Sequence, residues 1–173
     1  MKADRSYKRI KKKDLLKLAG IAEVDRIEFF ERHPRWKRAY SKRIICVALC
    51  QGAALHYVDG KNGIKDFDVW TFYSKHSSQP FPYRRVGHRD FGKSKLGRLV
   101  KDIKNYEGRR VDLIGRSINA SLKADPVKAL QAYLSNVKTP TARALAKKAV
   151  IMLEPKKLLG KVVWQQTLKS FPY

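Results

Sequence analysis

The strongest constraint in this chain is the run Ile44 to Cys50, IICVALC, which no polar residue interrupts. It is short and rich in β-branched residues, the pattern of a strand buried on both faces. The small residues Gly52-Ala53-Ala54 follow as a tight turn, and a short helical stretch is expected around Leu55 to Val58. Asp59-Gly60 and Asn62-Gly63 are turn signals. A second strand is expected from Asp66 to Tyr73, so the segment reads as strand, turn, helix, strand.

The second strand carries chemistry. Asp66 and Asp68 are two residues apart and so share one face of a strand. Phe67, Val69, Phe72 and Tyr73 surround them with apolar surface. Two neighbouring carboxylates at a buried position repel one another and lose hydration. They call for a compensating cation, either Arg or Lys or a hard divalent ion such as Mg²⁺. The alternative is a solvated, inert pair at the end of an edge strand. A third acid, Asp112, lies between Val111 and Leu113-Ile114 in a further predicted strand, Arg109 to Gly115. Strands with an apolar core rarely place Asp there without a use for it. Three such acids on neighbouring strands would form a two-metal site for in-line attack at phosphorus.

An apolar strand, a Gly-small turn, a spacer, Asp-x-Asp on a strand and a later strand with one acid together resemble the signature of the DNA polymerase beta-like nucleotidyltransferase superfamily. The resemblance covers roughly residues 44–116. It implies that Gly52 and Ala53 cradle nucleotide phosphates and that Asp66 and Asp68 are the metal pair. It further implies that Asp112 is the third acid, helping to deprotonate an attacking hydroxyl, and that two Mg²⁺ ions are the cofactor. Ala53 departs from the pattern, standing where that superfamily usually has Ser or Gly. It offers no hydroxyl, although backbone N–H groups at a helix start can still meet phosphate.

Lys and Arg outnumber Asp and Glu by 39 to 15, for a formal net charge of +24. Such an excess favours a polyanionic partner, and structured RNA is the expected one. A membrane is not expected, because no stretch is long enough to span one and no strongly amphipathic helix stands out. Cys46 and Cys50 lie in the buried strand without zinc spacing and read as reduced packing residues of a cytoplasmic protein. At 173 residues the chain divides into a basic N-terminal helical arm (1–43), a nucleotidyltransferase-like core (44–118) and a helical C-terminal part (119–173) packed on the core.

The remaining segments are scaffold or nucleic-acid contacts. Asp14 is expected to cap a basic helix ended by Gly20. A second helix over 21–32 is expected to pack Ile21, Val24, Ile27 and Phe30 on the sheet. The stretch from Tyr83 to Lys95 reads as a basic, Gly-containing loop whose Arg84, Arg85, Arg89, Lys93 and Lys95 hold RNA. His76 and His88 have no evident partner and receive no role. Residues 96–106 are expected to form a short helix, and one of Arg109, Arg110 and Arg116 to neutralise a triphosphate or to pair with the acids. Helices are expected over 125–134 and from Thr139 to about Met152, with residues 158–164 as a short helix or an added strand. The fold expected is α+β, a small mixed sheet flanked by helices. The function expected is metal-dependent transfer of a nucleoside monophosphate from a nucleoside triphosphate to an acceptor hydroxyl, on RNA. The alternatives are a non-catalytic nucleic-acid-binding protein on the same fold, and a toxin- or antitoxin-type component with a partner protein.

Overall fold

A computed structural model describes residues 4–81, 86–136 and 138–166. The elements run α1 (Lys12–Arg32), α2 (Pro34–Tyr40), β1 (Ile44–Cys50), α3 (Gln51–Asp59), β2 (Phe67–Ser74), β3 (Val86–Asp90), β4 (Arg110–Ile118), α4 (Pro126–Leu134), α5 (Pro140–Ala146), β5 (Ala149–Glu154) and β6 (Val162–Gln165). The strands form one open sheet in the order β3-β4-β2-β1-β5-β6. Among the described residues only β2 and β4 pair in parallel, and the other neighbouring strands are antiparallel. The fold is therefore α+β with a mixed sheet.

The period-two alternation of β1 sorts the core into two layers. Val47 and Leu49 point towards α1 and α3, where they meet Leu15, Leu18, Ala54, Phe67, Val69 and Val111. Cys46, Ala48 and Cys50 point to the other face, against Leu130 of α4, Leu145 of α5 and Val150 and Met152 of β5. Both cysteines are free and buried, and burial raises their thiol pKa values, which suits inert packing residues.

Helix α1 is continuous where two helices were expected. Its buried positions are Asp14, Leu15, Leu18, Ala22, Asp25, Phe29 and Phe30, and from Leu15 to Phe29 they form a stripe at alternating spacings of three and four. Val24 and Ile27 are about half exposed, so the expected stripe of Ile21, Val24, Ile27 and Phe30 is rotated from the one the helix buries. The cause is Asp25, a charged residue inside the stripe, whose carboxylate accepts a hydrogen bond from Arg89 Nε of β3 at 3.1 Å. Asp14 is not the cap itself. It stands three residues into the helix, where its carboxylate accepts the Lys11 backbone N–H at 2.7 Å.

Gly20 sits inside α1 with no heavy atom within 4 Å of where a Cβ would stand. Replacing it with Ala lowers the entropy of the unfolded chain without a clash. We expect Gly20→Ala to stabilise the protein by about 0.5–1 kcal/mol, read from urea denaturation.

The last third contributes strands where helix was expected. Ala142, Leu145, Ala149 and Met152 fit helical spacing, but α5 stops at Ala146 and Ala149–Glu154 is β5, buried between β1 and β6. The run from Ala149 to Leu153 has the same unbroken apolar character as β1. Within residues 96–106 the only regular element is a 3-10 turn, Val100–Asp102, in place of the expected helix. The expected loop from Tyr83 to Lys95 instead contains β3.

Candidate active site

Two acids meet at one level of the sheet, and a third, Asp66, stands just before β2. Asp68 and Asp112 are direct register partners on the parallel strands β2 and β4, and His88 of β3 is the partner of Asp112 on its other side. Residues so paired share a face. That face is the one covered by α4 and α5, because Asp68 also pairs with Cys50, which packs in that layer.

Arg110, two residues before Asp112, reaches back over the same face. Its Nη2 donates to Asp112 Oδ2 at 3.0 Å and to Asp66 Oδ2 at 3.3 Å, and its Nε lies 2.8 Å from Asp112 Oδ1. His88 Nδ1 sits 2.7 Å from the same Asp112 oxygen. Asp68 has no hydrogen bond or ion pair among the described residues. Burial, then the neighbouring charges of Asp66 and Asp112, push its carboxyl up to about 6 against the attractions of Lys148 and Arg110.

Beside the acids a cleft of about 250 Å³ is lined by Arg5, Gln51, Gly52, Ala53, Lys65, Asp66, Asp68 and Lys148. Helix α3 begins immediately after β1 rather than at Leu55, which puts Gly52 and Ala53 in its first turn. Gln51 makes the corner with φ at 61°, a left-handed conformation that costs a non-glycine residue on the order of 1 kcal/mol or more. No side chain caps this helix start, so its first N–H groups face the cleft's end without a side-chain acceptor. A Cβ on Gly52 would stand 3.1 Å from Asn62 Nδ2 and 3.9 Å from Lys148 Nζ, so the ammonium lies close to the turn.

The cations of this cleft are not the arginines expected from the sequence. Arg109 is buried and donates to the backbone carbonyls of Leu96, Asp4 and Lys65, a structural clamp on three segments. Arg116 bonds Thr141 Oγ1 at 3.0 Å and lies over the Tyr133 ring, away from the acids. Arg110 pairs with Asp66 and Asp112 as described. Arg5, Lys65 and Lys148 take the cleft instead. Arg5 is brought there by the bridge between Ser6 and Ile64 and by its bonds to the carbonyls of Asn62 and Gly63. Lys148 arrives on the bend between α5 and β5.

The expected RNA-contact residues divide. Arg89 is engaged on the opposite face by Asp25 and Glu28 of α1, which occupies its guanidinium with protein carboxylates. Its hydrogen bond to Glu28 is the leading cause that lowers the Glu28 carboxyl's pKa. Lys93 and Lys95 sit with Lys13 and Lys17 around Phe91, whose ring lies 4.6 Å from Lys17 Nζ, on a basic surface that suits a phosphate backbone. Lys95 Nζ is 3.8 Å from Asp14. Arg84 and Arg85 lie outside the described residues. His88, which received no role from the sequence, belongs to the acid cluster.

The donor set is carboxylate oxygen, which suits Mg²⁺, and the partly buried Asp68, unpartnered among the described residues, is the kind of ligand a hard cation would relieve. Among the described residues no three acids, histidines or cysteines converge as a ready metal cluster, and Arg110 shares the oxygens of Asp66 and Asp112. A metal would therefore compete with Arg110 for them.

Neither a protein-family model nor a curated protein or solved structure matches this chain. Among the described residues no helix is long and apolar enough to cross a membrane.

Proposed function

We propose that the protein is a metal-dependent nucleotidyltransferase that moves a nucleoside monophosphate from a nucleoside triphosphate to an acceptor hydroxyl on RNA. The observation that carries this reading is that Asp66 and Asp68 share one cleft with the uncapped start of α3 and three cations. Anionic phosphate is the natural occupant of the cationic, N–H-bearing end of such a cleft. Asp66, Asp68 and Asp112 would hold Mg²⁺, which when bound supplies charge neutralisation at the phosphates and at the attacking oxygen.

The chain's own groups account for the rest. Arg5, Lys65, Lys148 and the first N–H groups of α3 bind and orient the triphosphate. The bond formed joins the acceptor oxygen to the α-phosphorus, and the bond broken frees pyrophosphate. The hydroxyl proton passes to the Asp112–His88 pair, in which the carboxylate orients the imidazole. The basic surface around Lys13, Lys17, Lys93 and Lys95 holds the RNA backbone.

The pairing of Arg110 with both Asp66 and Asp112 favours a second reading, a nucleic-acid-binding protein on this fold whose acids serve structure. Triphosphate binding separates the two. We expect calorimetry in Ca²⁺, which supports binding without turnover, to show a triphosphate site whose Kd rises roughly tenfold in Lys148→Ala, the loss of one charge-assisted contact. Absence of triphosphate binding by the wild type defeats the transferase reading.

A further inference from the structure

A second cavity is larger than the phosphate cleft. A space of about 670 Å³ opens along the end of β4 beyond Ile114, which pairs with Val86 at the start of β3, and Gly115 to Ile118 line it. Aromatic rings line it, namely Trp70, Phe81 and Tyr133, together with Ile114. Polar groups converge on the same space. Arg116 and Lys75 bring positive charge, Asn119 and Asn136 bring amides, and the Tyr133 hydroxyl is buried without a hydrogen-bond partner among the described residues. Stacking faces, an unused hydroxyl, amides and flanking cations together fit a planar heteroaromatic ring attached to a phosphate.

The position of the cavity says which ring. Trp70 and Ile114 are each two residues beyond Asp68 and Asp112 on their strands, and so roughly 7 Å from the acids on the same face. The phosphate cleft lies on the other side of the acids, towards β1 and β5. In-line displacement needs the entering oxygen and the leaving pyrophosphate on opposite sides of the phosphorus. With the triphosphate against Gly52 and Lys148, the entering group comes from the aromatic side. We infer that this cavity binds the terminal nucleobase of the RNA acceptor and so presents its hydroxyl to the acids. The inference rests on the transferase reading of the acids for its direction, but the cavity's occupancy is measurable without turnover.

The test is photocrosslinking of the full chain with two probes: an RNA oligonucleotide ending in 3′-terminal 4-thiouridine, and 4-thiouridine triphosphate. Crosslinked peptides are identified by mass spectrometry. The expected result is crosslinking of the RNA terminus to the peptides containing Trp70, Tyr133 or residues 114–119, with the triphosphate probe absent from them. Ile114→Trp, which fills the cavity, should lower that crosslink roughly tenfold while triphosphate affinity stays unchanged. Crosslinking of the RNA terminus elsewhere overturns the inference, as does crosslinking of the triphosphate in place of RNA. A wild-type protein that crosslinks RNA at these peptides but transfers no nucleotide upholds the cavity's role and defeats the transferase reading alone.

Discussion

Asp68→Asn is expected to make the protein more stable by about 2–3 kcal/mol at pH 8 while lowering nucleotide transfer roughly 10³-fold. The two effects share a cause. The folded protein holds the Asp68 carboxyl at about 6, against 3.8 for an unperturbed Asp, because the site is desolvated and lies beside Asp66 and Asp112. Folding therefore favours the protonated form. The stability linked to this group is fully present below about pH 4 and is lost as pH rises through 6, since the unfolded chain releases the proton more readily. Asn carries no charge and escapes that loss. Urea denaturation of both proteins at pH 4 and pH 8 should give nearly equal stabilities at the lower pH and a gap that opens at the higher one. Mg²⁺ at pH 8 should narrow the gap by stabilising the wild type only. Equal stabilities at both pH values would show that Asp68 is as well solvated as a surface carboxylate.

The largest expected loss of stability comes from a residue with no chemistry. Gly108 passes so close to Gly92 that a Cβ would stand 2.0 Å from the Gly92 carbonyl oxygen. The obstacle is backbone and has little freedom to move. The Asp90 carboxylate fixes both strands of the crossing, accepting N–H groups from Gly92 at 2.8 Å, Glu107 at 2.6 Å and Gly108 at 2.9 Å. Burial pushes the Asp90 pKa up, but these three bonds outweigh it and the net direction is down. Gly108→Ala should therefore cost about 3 kcal/mol or more, at the upper end for overpacking. Because β4 begins just beyond it and carries Arg110 and Asp112, β4 should also lose hydrogen-exchange protection. A loss below about 1 kcal/mol would mean that the loop yields without strain.

What could be read in the chain followed from how local each signal is. β1 and β2 were legible because their apolar residues are contiguous, and the acids on β2 and β4 because Asp is conspicuous among Val, Leu and Ile. β5 was hidden because Ala142, Leu145, Ala149 and Met152 meet helical spacing by coincidence, across a bend at Lys147 and Lys148 that separates α5 from the strand. That misplacement also concealed Lys148, whose position in the cleft depends on β5 lying beside β1. His88 was hidden because its partner is 24 residues away and becomes a neighbour only through the register of β3 on β4. Its strand, with Gly87 and Arg89, shows no apolar alternation. Arg5 reads as part of a basic arm, and only the pairing of Ser6 with Ile64 carries it to the cleft.

The central claim is that Asp66 and Asp68 perform nucleotide transfer. The most direct measurement incubates the purified protein with Mg²⁺, labelled nucleoside triphosphates and total RNA, beside a variant carrying Asp66→Ala and Asp68→Ala. The account predicts label on RNA with the wild type and none with the variant, while both bind RNA with the same salt dependence. Absence of label with the wild type, or equal labelling by both proteins, would contradict it and leave the acids a structural role beneath Arg110.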